Sequence, residues 1–201
     1  MTAELPYPIW YIFYNLFLVL VAGVVTYGLA RLLQDKRRDG GFWAMFFGLF
    51  LVWLAFFPNT IYLVAEFRHI FGFCAGEASD ICSSEAWLLP VFFVYSWIGY
   101  FSFVTLLYYL QKNLYQGGFK KISLYFPVAV IPVLALGMLL GLVDRFNSYD
   151  LIFNFCIIAR RAFWYLTSFD GLWLLVFYSG MMYLLFLAPG SGSKLGLKIR
   201  K

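Results

Sequence analysis

Residues 5–30 read LPYPIWYIFYNLFLVLVAGVVTYGLA and contain no Asp, Glu, Lys or Arg. Four further stretches of 22 to 26 residues share this property, namely 40–65, 86–111, 122–143 and 171–193. An α-helix rises about 1.5 Å per residue, so roughly 20 apolar residues cross the hydrocarbon core of a bilayer. Each of the five stretches is long enough to cross. The sequence therefore predicts a polytopic membrane protein.

The composition limits this protein to the helical class of membrane proteins. Hydrophobic residues make up 63% of the chain, whereas soluble domains contain about 45–50%. The strands of a membrane barrel alternate polar and apolar residues, and these stretches do not. We therefore expect an all-α fold with five transmembrane helices, because a helix satisfies its own backbone hydrogen bonds in lipid. Residues 1–190 form the expected helical membrane domain, and residues 191–201 a flexible basic tail.

The basic residues are unequally divided between the two sides that five crossings create. With the N-terminus outside, the inner segments hold 11 of the 15 Lys and Arg residues, and the outer segments hold Arg68, Arg145, Arg160 and Arg161. The positive-inside rule favours this orientation, with the C-terminus inside, in a bacterial cytoplasmic membrane. Short basic loops orient membrane proteins in general. We therefore expect membrane lipids, and no nucleic acid, as partners.

Three features predict departures from straight, membrane-crossing helices. Pro58 predicts a kink or break in the second stretch. Pro127 and Pro132 predict that the fourth helix bends or starts late. A sixth crossing by residues 151–169 would place the basic tail outside, so we expect an interfacial or re-entrant helix on the outer side there.

The first polar cluster is PNTIYLVAEFRH, residues 58–69. Glu66 and His69 are three residues apart and share one helical face. This spacing suits a shared metal or a carboxylate-oriented imidazole for acid–base catalysis. Zinc takes three or four protein ligands, so Glu66 and His69 are metal candidates without being a complete site. The alternative interpretation is an ion pair at a helix end.

The second polar cluster is GLVDRFNSYD, residues 141–150, on the same predicted outer side. Taken alone it suits a loop with a capping aspartate. Charges at the edge of the hydrocarbon are costly unless they are paired or used, so we expect the two clusters to converge. The candidate catalytic residues are Glu66, His69 and Asp150. The candidate substrate-binding residues are Asn59, Tyr62, Arg145 and Asn147, with Arg145 holding a phosphate or carboxylate.

Two cysteines, Cys74 and Cys82, lie in one outer segment. Their spacing permits a small disulfide-closed loop if the compartment is oxidising.

Segments 53–69 and 141–150 together resemble the signatures of a bacterial membrane-protein family, domain of unknown function 1361. Its first pattern is W-L-x-F-x-P-N-x-P-Y-x-x-T-D-x-x-H, and its second is G-R-x-x-R-W-N-S-W-D. This chain departs at Ile61 for Pro, Ala65 for Thr, Glu66 for Asp and Leu142 for Arg. The resemblance extends over most of the chain and implies a site without naming its chemistry.

Three hypotheses about function remain open at this point. The first is an outer polar pocket that binds or processes a lipid headgroup or another anionic substrate. The second is a non-catalytic membrane subunit or assembly factor with protein partners. The third is a small transporter or channel. The sequence names no cofactor and does not decide whether the protein is an enzyme.

Overall fold

The computed structural model describes residues 10–35, 38–66, 87–148 and 150–188. In this part of the chain every regular element is a helix: α1 (Trp10–Gln34), α2 (Gly40–Phe56), α3 (Pro58–Ala65), α4 (Leu88–Gln116), α5 (Lys120–Leu142), α6 (Asp150–Phe153), α7 (Phe155–Thr167) and α8 (Phe169–Leu187). Five spans are long and apolar enough to cross a membrane: α1, α2 with α3, α4, α5 and α8. The prediction of an all-α membrane protein with five such helices is confirmed.

Pro58 separates α2 from α3, as predicted. The helix α2 ends at Phe56, Phe57 is a turn residue, and Pro58 is the first residue of α3. Proline is tolerated at this position because its missing N–H is not needed for an intrahelical bond.

Pro127 and Pro132 lie inside α5, which begins at Lys120. Of the two predicted alternatives, the late start is therefore excluded, and the bend stays a prediction. Each proline lacks the N–H that would bond to the carbonyl four residues earlier, on Ser123 and Val128 respectively. Neighbouring helices supply the missing donors.

The two freed carbonyls both accept hydrogen bonds from side chains of other helices. From α4, Gln111 Nε2 donates to Ser123 O at 3.1 Å. From α8, the Tyr183 hydroxyl donates to Val128 O at 2.5 Å. These bonds explain why α5 runs through both prolines, because lipid offers no water to satisfy a freed carbonyl.

The turns after α1 and after α4 meet at one end of the bundle. Gln34 Nε2 donates to Asn113 Oδ1 at 2.9 Å. Arg38 Nη2 donates to Leu33 O at 2.9 Å and to Gly117 O at 3.2 Å. We call this the basic end, and it also carries four other basic residues, Arg31, Lys112, Lys120 and Lys121.

The opposite end, which carries both polar clusters, is the motif end. There α3 is packed tightly between two helices by glycines. A Cβ on Gly99 of α4 would lie 2.5 Å from Thr60 O, and one on Gly137 of α5 would lie 2.7 Å from Pro58 Cγ. Small residues at these crossings let helix backbones approach closely. They fix where α3 presents its side chains.

Polar side chains within the membrane spans form hydrogen bonds with carbonyl groups or side chains of the helices. Thr26 donates to Ala22 O at 2.7 Å and accepts from Trp53 Nε1 at 2.9 Å. Ser96 donates to Leu63 O at 3.4 Å, and Thr105 to Phe101 O at 2.6 Å. The Trp53 bond links α2 to α1 and the Ser96 bond links α4 to α3, whereas the Thr105 bond lies within α4. Each bond satisfies a hydroxyl that would otherwise be costly to hold away from water.

Several predictions fall on residues outside the described ranges. They are the Cys74–Cys82 disulfide, the position of His69 and the flexible tail over 191–201. They stay predictions.

Candidate functional site

The two polar clusters touch at the motif end. Asn59 Nδ2, from the first turn of α3, donates to Ser148 Oγ at 3.3 Å and to Phe56 O at 2.9 Å. Ser148 in turn donates to Ala55 O at 3.1 Å. These bonds join residues 89 and 93 positions apart in the chain. The expected convergence of the clusters is confirmed for this pair.

Tyr62 lies on the same face of α3 as Asn59 and faces the second cluster. Its ring atoms are 3.8 Å from the position that a Cβ on Gly141 would occupy, and Phe146 O is 3.6 Å from that position. These are ordinary van der Waals distances, so the tyrosine ring packs beside the end of α5. Tyr62 therefore lies beside the turn that follows α5.

Glu66 follows α3 and is only 1% exposed. Its carboxylate and Tyr62 both interact electrostatically with the hydroxyl of Tyr95 on α4, which also lies beside Asn15 of α1. Tyr95 is 2% exposed and Asn15 is 8% exposed. Polar side chains from three helices thus lie near the Tyr95 hydroxyl, and Glu66 is one of its neighbours. The expected approach of Glu66 to Asp150, Asn147 or Arg145, and its catalytic role, stay predictions.

Asp150 organises the turn between α5 and α6. Its Oδ2 accepts from the backbone N–H of Asn147 at 2.8 Å, and its Oδ1 accepts from Asn154 Nδ2 at 2.9 Å. The Asn147 backbone bond is the main cause that lowers the pKa of Asp150, and the Asn154 bond adds to it. One carboxylate oxygen holds the backbone of the turn and the other holds the Asn154 side chain, which is a structural role. Catalysis by Asp150 and substrate binding by Asn147 stay predictions.

Arg145 occupies an unusual backbone conformation in this turn. Its φ angle is +60°, and among the described non-glycine residues it alone has a positive φ. This left-handed conformation is costly for a residue with a Cβ, and glycine adopts it readily. The Arg145 side chain is exposed, and no described residue bonds to it. Backbone strain of this kind clusters at functional sites, which makes Arg145 a candidate functional residue.

Asp144 links the end of α5 to α7. Arg161 Nε donates to Asp144 Oδ1 at 2.5 Å, and the Tyr165 hydroxyl donates to Asp144 Oδ2 at 2.9 Å. The hydrogen bond to Asp144 raises the pKa of Arg161. Burial, together with the bond to Asp144, raises the pKa of Tyr165 to about 12. Asp144 therefore positions an arginine and a neutral phenol at the motif end.

Beside this contact lies an open groove of about 360 Å³. Its lining combines three charged residues with three apolar or aromatic ones, Asp144, Arg160, Arg161, Phe146, Ile157 and Trp164. The Arg161 guanidinium lies 4.5 Å from the centre of the Trp164 ring, within the range of a cation–π interaction. The Arg160 side chain is exposed, and no described residue bonds to it. The groove thus presents guanidinium groups next to an apolar wall.

The sequence predicted Arg145 as an anion-binding residue but did not predict the pairing of Arg161 with Asp144. The sequence did indicate that Tyr165 lies beside Arg161, because the two residues are four positions apart and share one helical face. Nothing in the sequence pointed to Trp164 as part of the lining. The contact with Asp144 depends on how α7 folds back over α5.

The structure also bears on metal binding. Within the described ranges, no three residues of the types His, Cys, Asp and Glu lie close enough to hold a metal ion together. Since His69 lies outside those ranges, a metal on Glu66 and His69 stays a prediction.

Comparisons with known proteins give one match. No curated protein and no solved structure shows significant similarity to this chain. The profile of a family described as "Protein of unknown function (DUF1361)" matches residues 14–186. That match spans all five candidate membrane spans, from within α1 to within α8. The chain belongs to the DUF1361 family of membrane proteins.

Proposed function

We propose that the groove at the motif end binds an anionic group, a phosphate or carboxylate, at the outer surface of a bacterial cytoplasmic membrane. The observation that carries the proposal is the lining itself, in which Arg160 and Arg161 stand beside an aromatic wall. Guanidinium groups present several N–H donors in a planar fork that matches phosphate and carboxylate oxygens. Arg145 stands between two lining residues in the chain, Asp144 and Phe146, and adds a further exposed cation.

The orientation in this proposal follows from the distribution of charge along the chain. Arg31, Arg38, Lys112, Lys120 and Lys121 all belong to the basic end, which the positive-inside rule assigns to the cytoplasm. The motif end then faces outward. An impermeant thiol reagent tests this in intact cells, on a background without native cysteines. A cysteine at Val143, 49% exposed at the motif end, should be labelled. A cysteine at Asp39, at the basic end, should be protected, and the reverse pattern would contradict the orientation.

The hydrogen bonds inside the bundle favour a binding function over transport. A transport path needs polar groups that face it at mid-membrane depth. The polar residues at that depth in the first and third spans are few, namely Asn15, Thr26, Ser96, Ser102 and Thr105. Three of them, Thr26, Ser96 and Thr105, donate to a helix carbonyl. The exposed cations lie at the two ends of the bundle, and Arg145 and Arg160 are those at the motif end.

The experiment is a thermal-unfolding assay of the full-length protein in an uncharged detergent, with sodium phosphate or phosphatidylglycerol as the added probe. A probe at about 100 times its Kd stabilises the protein by about 2.7 kcal/mol. At least one probe should raise the unfolding temperature of the wild type. Arg160→Gln and Arg145→Gly should each reduce that rise. Arg145→Gly should not lower the stability without probe, because glycine suits a positive φ.

The control is Lys121→Gln, which removes an exposed positive charge at the basic end. It should keep the full rise in unfolding temperature. Equal rises in the wild type and in Arg160→Gln, with both probes, would refute anion binding in the groove.

A further inference from the structure

We infer that the ligand of the groove is an anionic phospholipid that enters sideways from the bilayer and leaves its acyl chains there. This inference rests on the proposed anion-binding function and narrows its ligand class. The shared chemistry is a phosphate group, which a soluble anion would also supply. Four features of the groove favour the lipid.

The first feature is the helix that carries the arginines. Helix α7 has 13 residues, which is about 20 Å of rise and too short to cross about 30 Å of hydrocarbon. It nevertheless exposes large apolar side chains, with Phe155 at 64%, Ile157 at 57%, Phe163 at 65% and Leu166 at 54%. Such a helix is stable where apolar side chains meet acyl chains and cationic ones meet headgroups. The arginines are therefore held at headgroup depth.

The second feature is the mixed lining. A soluble anion would use only the guanidinium groups and would leave Phe146, Ile157 and Trp164 without a role. A phospholipid uses both halves, because its phosphate meets Arg160 while its glycerol backbone and first methylenes lie against Ile157 and Phe146. Contact with the apolar half adds the burial free energy that a free headgroup lacks.

The third feature is the net charge. Two arginines and one aspartate give the lining a net charge of +1. A phosphodiester carries a single negative charge, so one bound phospholipid neutralises the lining. Asp144 is thus a positioning residue, since it fixes Arg161 through a hydrogen bond and offsets its charge.

The fourth feature is size. A volume of about 360 Å³ lies at the lower end of the range for small-molecule sites, about 300–1,000 Å³. It accommodates a headgroup with its glycerol. The acyl chains then have to remain in the bilayer, which the exposed apolar face of α7 permits.

Native mass spectrometry of the full-length protein in an uncharged detergent tests the inference with three probes. They are dioctanoyl phosphatidylglycerol, its deacylated headgroup glycerophosphoglycerol, and dioctanoyl phosphatidylcholine, which has the same chains and no net charge. We expect phosphatidylglycerol to bind at least tenfold more tightly than either of the others. Arg160→Gln should weaken its binding at least fivefold, and Lys121→Gln should not.

A second pair of variants tests the apolar half of the lining. Ile157→Ser should weaken the binding of phosphatidylglycerol and leave that of glycerophosphoglycerol unchanged. Leu166→Ser is the matched control, because Leu166 is on the same helix with similar exposure and is outside the lining. Both side chains are exposed, so neither substitution should prevent folding.

The outcomes separate this inference from the proposed function. If glycerophosphoglycerol binds as tightly as phosphatidylglycerol and both depend on Arg160, the ligand is a soluble anion, and only the lipid inference fails. Equal effects of Ile157→Ser and Leu166→Ser would also overturn it. If phosphatidylcholine binds as well as phosphatidylglycerol, the inference of an anionic lipid is overturned. If no probe depends on Arg160, both the inference and the proposed function are overturned.

Discussion

The hydrogen bond from Tyr183 to Val128 O offers a direct test of how α5 tolerates its prolines. Pro132 has no N–H, so Val128 O depends on the Tyr183 hydroxyl, which donates from α8 at 2.5 Å. Tyr183→Phe removes that donor and leaves the carbonyl in an environment without water. Side-chain hydrogen bonds in membrane proteins contribute about 0.6 kcal/mol on average and up to about 1.7 kcal/mol. We expect a loss near the upper figure, because the acceptor has no intrahelical partner.

The decisive variant is Pro132→Ala, which restores an N–H to position 132. Val128 O then gains its ordinary intrahelical bond, and the tyrosine hydroxyl is no longer needed. Tyr183→Phe should therefore cost about 1–2 kcal/mol when residue 132 is proline and much less when it is alanine. The double-mutant cycle of Tyr183→Phe and Pro132→Ala should give a coupling energy of about 1 kcal/mol, which is within the range seen for residues in one hydrogen-bond network.

The assay is reversible unfolding in mixed micelles with increasing denaturing detergent, supported by apparent unfolding temperatures. For a chain of this size, 1 kcal/mol corresponds to about 2–4 °C. Tyr125→Phe is the matched control, because Tyr125 is on α5, is 66% exposed and bonds to no described residue. An equal cost of Tyr183→Phe in both backgrounds would refute the idea that the bond compensates for the proline.

Three further predictions concern packing, alkaline stability and hydrogen bonding. Gly99→Ala should destabilise the protein by about 1–3 kcal/mol, since its Cβ would meet Thr60 O at 2.5 Å. Gly48→Ala is the control, because it gains the same helix propensity and its Cβ would meet no other atom within 4 Å. It should be neutral or stabilising in the same unfolding assay. The raised pKa of Tyr165 contributes stability that is complete below its ordinary value of 10.0 and is lost as pH rises towards about 12. Tyr165→Phe should therefore reduce the loss of stability over that interval, and an unchanged alkaline profile would contradict the assignment. Trp53→Phe removes the donor to Thr26 and also shrinks a fully buried side chain. The hydrogen-bond part of its cost, about 0.6–1.7 kcal/mol, should disappear when Thr26 is already valine, which leaves only the cost of lost packing.

The candidate site was predicted in part. Asn59 and its cluster were expected to meet the second cluster, and the bond to Ser148 confirms this. The prediction was feasible because charged and polar groups at the edge of hydrocarbon need partners at the same depth. The groove itself was not predicted. Its lining depends on how α7 packs over the end of α5, and the pairing of Arg161 with Asp144 spans 17 residues of irregular and helical chain.

The sequence by itself determined the number of membrane-crossing helices, the break at Pro58 and the unequal distribution of basic residues. These features depend on the length and composition of single segments, because the bilayer acts on each segment separately. Only the tertiary structure decided which partners satisfy the carbonyls freed by Pro127 and Pro132, and which cations remain exposed at the motif end. Those outcomes depend on distances between helices that are far apart in the chain, set by close approaches such as Gly99 against Thr60. A hydrogen bond forms only when both groups arrive within about 3 Å, and no single segment of sequence specifies that.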